Sequence, residues 1–318
     1  MERILTIRGG AIGDFLLTLP TVARLKAEWP EARLEALGYP SIAELGLGRG
    51  YFEAVRSMDR SGLPSFFIPD TILDPEWMDY FRSFDLIVSY LYDPDGFFRA
   101  NVEKCQPGRL LSVSPKVEEG RPAAFHLAAP LGELELELTS PAARLHPNDE
   151  DREAARQAHP VLFDGAPWIA VHPGSGSASK NWPALRWVDV IQACLETRLG
   201  RVALIGGEAE GGRLQELAGA ITSSGADRVH VVQDLPLPAL AALLAGARLF
   251  LGHDSGISHL AAAAGAPVLT LFGPTDPATW APQGERVRVL VSESGFMDGI
   301  EVEEVRQAMD ALLGPADA

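Results

Sequence analysis

Short apolar runs that are typical of β-strands alternate with helical segments along this 318-residue sequence, and this alternation restricts the fold more than any other feature. The runs are rich in Ile, Leu and Val and end at Gly, Pro or Asp. Strand–helix–strand repeats predict parallel sheets with helices on both faces. The predicted strands of the first half are Arg3–Arg8, Ala32–Gly38, Ala54–Met58, Phe84–Tyr90 and Arg109–Ser114. Those of the second half are Trp168–Pro173, Arg201–Gly206, Val229–Asp234, Arg248–Asp254, Pro267–Gly273 and Arg286–Ser292.

A proline-rich stretch interrupts this alternation near the middle of the chain. The stretch, Thr139–Ala166, includes a charged helix-like piece, and the strand pattern restarts after it. The length suits two domains of ordinary size. We therefore predict an α/β protein with domains 1–150 and 151–318. The final helix, Val302–Leu313, is a candidate to pack back on the first domain.

The net charge of −16 limits the partners that the chain can bind. Nucleic-acid binding needs clustered Lys and Arg, so we expect no nucleic-acid partner. An anionic membrane would repel the protein, which favours at most peripheral association. Phosphate binding would then depend on a local group of donors, such as a helix N-terminus or one lysine.

Cellular location and cofactors are constrained by what the sequence lacks. No apolar run reaches the length of a membrane span, and the first residues do not resemble a signal peptide. Cys105 and Cys194 are far apart and belong to no CxxC motif, which favours a reducing, cytoplasmic setting. The histidines show neither HxxxH nor HExxH spacing, so we expect no metal site and no bound cofactor.

The loop after the first strand contains Gly9, Gly10 and Gly13, followed by Asp14. Glycines allow a tight turn and a close approach of a ligand. Asp14 is either a helix cap or a carboxylate at the edge where open α/β sheets bind ligands. The pattern departs from GxGxxG, so a dinucleotide-dependent dehydrogenase is disfavoured.

Two loops of the second half suit an anion. The loop after Trp168–Pro173 is rich in Gly and Ser, including Ser175, and contains Lys180. It is either a solvated loop or a phosphate loop, although the Walker pattern is absent. The second loop begins at Asp254, where Ser255 and Gly256 open an Ala-rich helix with free N–H groups.

Further polar residues follow other strands of the second half. Thr275 and Asp276 lie in the turn after Pro267–Gly273, at the same predicted edge as Asp254. Glu208 and Glu210 follow Arg201–Gly206, where a carboxylate can accept from sugar hydroxyls or simply form a solvated turn.

The sequence Asp93-Pro94-Asp95 has the DxD form used by metal-dependent sugar transferases of another fold. Its setting beside Gly96 makes a turn the simpler interpretation.

Taken together, these loops resemble glycosyltransferase family 9, the ADP-heptose:lipopolysaccharide heptosyltransferases. The resemblance spans nearly the whole chain and depends on four motifs in order. They are G-x-x-G-D-x-x-x-x-x-P at Gly10–Pro20, H-P-G with K-x-W-P at His172–Pro183, G-G-x-x-E at Gly206–Glu210, and D-S-G-x-x-H-L-A-A-A with F-G-P-T-D-P at Asp254–Pro277.

The resemblance implies a GT-B fold, in which two Rossmann-like domains face a central cleft. It implies an inverting, metal-independent transfer of a sugar from a nucleotide sugar, with ADP-heptose as the expected donor, to a glycan or lipid-linked glycan. Lipopolysaccharide core is the expected acceptor, and another glycan, a protein or a small sugar stay open. The oligomeric state is left open too.

The resemblance also implies roles for particular residues. Asp14 would be the general base and Lys180 would contact donor phosphate. The expected donor site also comprises Gly13, Ser175, Glu210, Asp254, Ser255, Gly256, His259, Thr275 and Asp276. The alternatives are a GT-B nucleotide-sugar epimerase or hydrolase that needs no acceptor, and a non-catalytic nucleotide-sugar-binding member of the family.

Overall fold

The computed structural model describes residues 1–196, 200–207, 211–221 and 225–314. The chain divides into two compact units, Met1–Ala143 and Arg144–Ala318.

The first unit is built on a five-stranded parallel sheet. Its strands are β1 (Arg3–Arg8), β2 (Arg33–Gly38), β3 (Ala54–Ser57), β4 (Leu86–Ser89) and β5 (Arg109–Ser112), in the order β3-β2-β1-β4-β5. Its helices are α1 (Ile12–Glu28), α2 (Pro40–Ala43), α3 (Pro75–Arg82), α4 (Phe97–Lys104), α5 (Ala123–Leu127) and α6 (Ala129–Gly132), with a 3₁₀ turn at Leu63–Phe67.

The core of the first unit lies where α3 and α4 meet the sheet. Buried Leu5 and Ile87 of adjacent strands share one apolar cluster with Trp77, Phe81 and Phe98. The rings of Trp77 and Phe81 stack with centroids 5.6 Å apart. Large aromatic side chains therefore close one face of this sheet.

The second unit is built on a six-stranded parallel sheet. Its strands are β6 (Trp168–His172), β7 (Arg201–Gly206), β8 (Val229–Gln233), β9 (Leu249–His253), β10 (Val268–Phe272) and β11 (Val287–Val291), in the order β11-β10-β9-β6-β7-β8. Its helices are α7 (Asp149–Ala158), α8 (Ala184–Glu196), α9 (Gly211–Ala220), α10 (Leu237–Leu244), α11 (Gly256–Ala263), α12 (Pro277–Trp280) and α13 (Val302–Leu313). Short 3₁₀ turns occur at Pro160–Phe163, Ala178–Lys180, Ala226–Arg228 and Met297–Gly299.

Both sheets confirm the predicted fold class. Each predicted strand is present in the described part of the chain, and most are slightly shorter than predicted. The shortening falls at strand ends, because the predicted ranges included bounding residues such as Pro173, Gly273 and Asp254, which leave the ladder.

The division between the units falls earlier than the predicted boundary at 150. The amide of Leu145 donates to the carbonyl of Ala263 over 2.8 Å, and α7 packs against α10. Residues just before α7 are therefore tied to the second unit.

The last helix, α13, is part of the second unit, whereas the sequence had made it a candidate to pack on the first domain. Val305, Ala308 and Met309 are buried in the same cluster as Trp187 and Leu271. The apolar face of α13 is thus used in closing the second sheet.

We expect Gly108→Ala to destabilise the protein by about 1–3 kcal/mol, the range for inserting an atom into a packed site. A Cβ at Gly108 would collide with the backbone carbonyl of Asp85, which leads into β4. Urea unfolding followed by circular dichroism measures the change. Gly132→Ala is the control, because a Cβ there has no neighbour within 4 Å. Equal stability of the two variants would contradict the argument.

Candidate functional site

Each sheet has a switch point, at which successive connections leave in opposite directions. In the first unit, β1 lies between β2 and β4; in the second, β6 lies between β7 and β9. The loops after the two strands at a switch point diverge and leave a crevice at their carboxyl ends, where open α/β sheets bind ligands.

Asp14 lies beside the switch point of the first sheet, as the third residue of α1. Its Oδ2 accepts from the Ala11 amide and its Oδ1 from Arg8 Nη2, both over 3.0 Å. The Asp14 side chain is still 43 % exposed, so it caps the helix and remains accessible to a ligand.

The glycine before this helix makes room for the carboxylate. Gly10 has φ = 99°, which favours glycine. A Cβ at this position would lie 2.6 Å from Asp14 Oδ2. Glycine at position 10 is therefore required both by its backbone conformation and by the nearby Asp14 carboxylate.

Arg8 is a site residue that the sequence interpretation missed. Its side chain is only 5 % exposed, and burial lowers its pKa, while the nearby Asp14 opposes this shift. Besides Asp14, it contacts the carbonyl of Tyr90 from Nη1 over 3.4 Å, which joins the ends of β1 and β4. The signal in the sequence was an arginine that closes an apolar strand directly before two glycines.

Lys180 and Asp254 meet across the switch point of the second sheet. Lys180 ends the 3₁₀ turn after β6, and its Nζ donates to Asp254 Oδ2 over 3.1 Å. The hydroxyl of Thr275, which follows β10, donates to the same oxygen over 2.9 Å. The side chains of Lys180 and Asp254 are 22 % and 12 % exposed, so the structure brings three of the predicted site residues into one half-buried cluster.

The helix α11 begins directly after Asp254. Ser255 is its N-cap, and its hydroxyl accepts from the amide of Ser258. The first N–H groups of a helix have no partner within it, so the amides of Gly256 and Ile257 remain available to an anion. With Lys180 beside them, these groups form a cradle suited to phosphate.

His253 connects the two loops that form this cradle. Its Nε2 accepts from the amide of Trp182 over 2.8 Å, and its Nδ1 lies 3.3 Å from the carbonyl of Gly174. Acceptance at Nε2 leaves the proton on Nδ1, in the neutral tautomer. The ring therefore fixes both ends of the segment that contains Lys180.

The other predicted donor-site residues have the following positions. Gly13 lies in the first turn of α1, in the first unit. The Ser175 hydroxyl is 2.7 Å from the Ser177 carbonyl and 2.7 Å from Asn181 Oδ1, which shapes the lysine loop. His259 contacts the Trp280 carbonyl over 3.0 Å, and Asp276 caps α12. Glu210 lies outside the described residues, as does Glu208.

Asp93 forms the turn that its sequence suggested. Its carboxylate accepts from the amides of Phe98 and Arg99, at the start of α4. Over the residues that the structure describes, no group of three or more His, Cys, Asp or Glu side chains is placed to hold a metal ion. The helices within the same residues are too short or too polar to cross a membrane.

These features define a doubly wound α/β protein with a cradle suited to phosphate at the switch point of its second sheet. The family model for glycosyltransferase family 9 (heptosyltransferase) matches residues 112–307, which is more than half of the chain. The chain belongs to glycosyltransferase family 9.

Curated relatives agree with this assignment. Lipopolysaccharide heptosyltransferase 1 of Pseudomonas aeruginosa is 35 % identical over 127 residues, which is 40 % of this chain and 33 % of that protein. The match therefore spans only about a third of that relative's length. Lipopolysaccharide heptosyltransferase 3 of Escherichia coli is 23 % identical over 337 residues, covering 96 % of each protein.

A solved structure of an E. coli heptosyltransferase with ADP has a TM-score of 0.75 to this chain at 18 % identity. The match covers 98 % of this chain and 99 % of the other. At this identity the likeness establishes a common fold, the GT-B fold that the resemblance had implied.

We expect stability to fall as the pH drops from about 6.5 to about 4 because His253 and His172 are buried as neutral rings. Burial lowers the pKa of His172 to about 4 and that of His253 to about 3. The unfolded chain, with ordinary histidine pKa values, then binds protons first. His253→Gln should reduce the slope of unfolding free energy against pH by up to about 1.4 kcal/mol per pH unit.

Urea unfolding at a series of pH values between 7 and 5 measures this slope. His146→Gln, at an exposed histidine, is the matched control. If both variants keep the wild-type slope, His253 is not the source of the pH dependence.

Proposed function

We propose that the protein is an inverting, metal-independent glycosyltransferase that moves heptose from ADP-heptose to a glycan acceptor such as lipopolysaccharide core. The observation that supports this most strongly is the cluster of Lys180, Asp254 and Thr275 beside the N-terminus of α11. Family membership supplies the class of donor.

The cradle suits the departure of a nucleoside diphosphate. When the glycosidic bond of the donor breaks, negative charge develops on the terminal phosphate. The Lys180 ammonium and the amides of Gly256 and Ile257 are positioned donors that stabilise such charge. Because they are already in place, the protein needs little rearrangement during the reaction.

Asp254 has a different role beside the same phosphate. Within the described residues, Lys180 and Thr275 both donate to Oδ2, so Oδ1 can accept from a hydroxyl of the donor sugar. The bound ammonium offsets the repulsion between this carboxylate and the phosphate. The pair therefore distinguishes the sugar end of the donor from its phosphate end.

Asp14 is the proposed general base. A carboxylate with two hydrogen bonds has further lone pairs, and 43 % exposure leaves them accessible to an acceptor hydroxyl. Asp14 would take the proton of that hydroxyl as the oxygen attacks the anomeric carbon opposite the departing ADP. Such attack inverts the anomeric configuration, and the proton on Asp14 balances the charge that leaves with ADP.

We expect Asp14→Asn to lower the turnover number for heptose transfer by about 10²–10⁴-fold, because an amide cannot remove the proton. The affinity for ADP, measured by calorimetry, should not change. Asp79→Asn removes an exposed carboxylate of the same unit, paired with Arg82, and should keep full activity. Normal turnover by Asp14→Asn would disprove the proposed base.

We expect Lys180→Ala to weaken ADP binding by about 10–100-fold, as for the loss of a hydrogen bond to a charged group. Lys104→Ala is the control, since Lys104 contacts Asn101 in the first unit. A thermal-shift panel of ADP, UDP, GDP and CDP identifies the preferred base, because a ligand of the native state raises the melting temperature. Unchanged affinity of Lys180→Ala for every diphosphate would remove Lys180 from the donor site.

Nuclear magnetic resonance of the sugar distinguishes transfer from the alternatives. The proposed transferase forms a glycoside of opposite anomeric configuration, needs an acceptor, and keeps its activity in EDTA. An epimerase or hydrolase would change the sugar with no acceptor present. Retained configuration in the product would contradict the mechanism.

A further inference from the structure

We infer that a cavity in the first unit, at the carboxyl ends of β4 and β5, binds an uncharged sugar residue of the acceptor. The ring of Tyr92 is the platform on which that residue stacks. This inference rests on the proposed function and specifies the class of acceptor.

The cavity has the size and place of a ligand site. Its volume is about 210 Å³, and it is lined by Ser89, Leu91, Tyr92, Asp93, Ser112 and Ser114, among others. This is below the range of about 300–1,000 Å³ for sites of drug-sized ligands, which suits one sugar residue. It lies at the edge of the sheet where doubly wound proteins bind ligands.

The chain segment that lines the cavity directly follows Tyr90, which contacts the same arginine that holds Asp14. Tyr90, whose carbonyl contacts Arg8 over 3.4 Å, comes two residues before Tyr92. Arg8 in turn donates to Asp14 over 3.0 Å. A sugar in the cavity would therefore lie on the same sheet edge as the proposed base, as an acceptor requires.

Tyr92 is exposed, and a lysine contacts both its ring and its hydroxyl. Tyr92 is 54 % exposed. Lys116 Nζ donates to the Tyr92 hydroxyl over 3.0 Å and lies 4.5 Å from the ring centroid. The ammonium lies over one face of the ring, and an exposed aromatic face beside a cavity is a surface for the C–H groups of a pyranose ring.

Hydroxyl groups supply the polar part of the cavity. Ser89, Ser112 and Ser114 line it, and a serine hydroxyl both donates and accepts. Sugar hydroxyls have the same dual character. An aromatic platform with surrounding hydroxyls thus matches a polyhydroxylated ring.

The charges around the cavity favour an uncharged residue over a phosphorylated one. The Asp93 carboxylate lines the cavity. Among the described residues, two cations lie at the cavity: Arg99, a lining residue that is paired with Glu103 over 2.9 Å, and Lys116, whose ammonium contacts the hydroxyl and the ring of Tyr92. A phosphate would meet the Asp93 carboxylate, while the Arg99 guanidinium is paired with Glu103 and the Lys116 ammonium is held by the hydroxyl and the π face of Tyr92.

Saturation-transfer NMR on the full chain, without donor, tests the inference. The probes are methyl mannoside and methyl glucoside, compared with mannose 6-phosphate and glucose 6-phosphate. We expect the neutral sugars to bind more tightly than the phosphates. Tyr92→Ala should weaken the neutral sugars about tenfold, which corresponds to about 1.4 kcal/mol, and Tyr92→Phe should keep most of the affinity.

Phe296→Ala, which removes an exposed aromatic ring of the second unit, is the matched control and should bind the sugars normally. Tighter binding of the phosphates would overturn the uncharged class. Equal binding by Tyr92→Ala and wild type, or no binding of either sugar type, would overturn the site.

Steady-state kinetics of heptose transfer distinguish failure of this inference from failure of the proposed function. Tyr92→Ala should raise the acceptor KM for heptose transfer and leave the donor KM unchanged. An unchanged acceptor KM in an active transferase would contradict the inference alone. Sugar binding that depends on Tyr92, in a protein with no heptose transfer from ADP-heptose, would contradict the proposed function alone.

Discussion

In each unit, the candidate site depends on a cation that connects two diverging loops. A switch point leaves two loops without backbone pairing to each other. In the first unit the Arg8 guanidinium joins the ends of β1 and β4 while it holds Asp14. In the second unit the Lys180 ammonium joins the loop after β6 to Asp254 at the end of β9.

Within each of these ion pairs, the two partners depend on each other. A buried pair gains little net free energy, because each charge loses its hydration, but removal of one partner leaves the other uncompensated. Substitution of Arg8 would therefore disturb Asp14 as well as the packing beside Tyr90. In a protein with a net charge of −16, pairing with Asp254 also keeps the Lys180 ammonium at the place where we propose that the phosphate binds.

Much of the fold was predictable from the sequence, because strand and helix patterns alternate with clear boundaries. The cluster of Asp254 and Thr275 was predictable too, since both residues follow strands that end at one edge. The residues that hold these groups in place were not predictable from the sequence. Arg8 appears in the sequence as the end of a strand, and only the pairing of β1 with β4 brings it to Tyr90. His253 likewise becomes a connector only when β6 and β9 are neighbours.

The contact between Asp254 and Lys180 has a consequence for the binding of the proposed diphosphate donor. The ammonium has lost part of its water shell and its rotamer freedom before any donor binds, so an incoming phosphate meets a cation that is already oriented. Partly buried charges are also screened less by dissolved salt than exposed ones. Recognition of the donor should therefore vary less with ionic strength than it would for a lysine projecting into solvent.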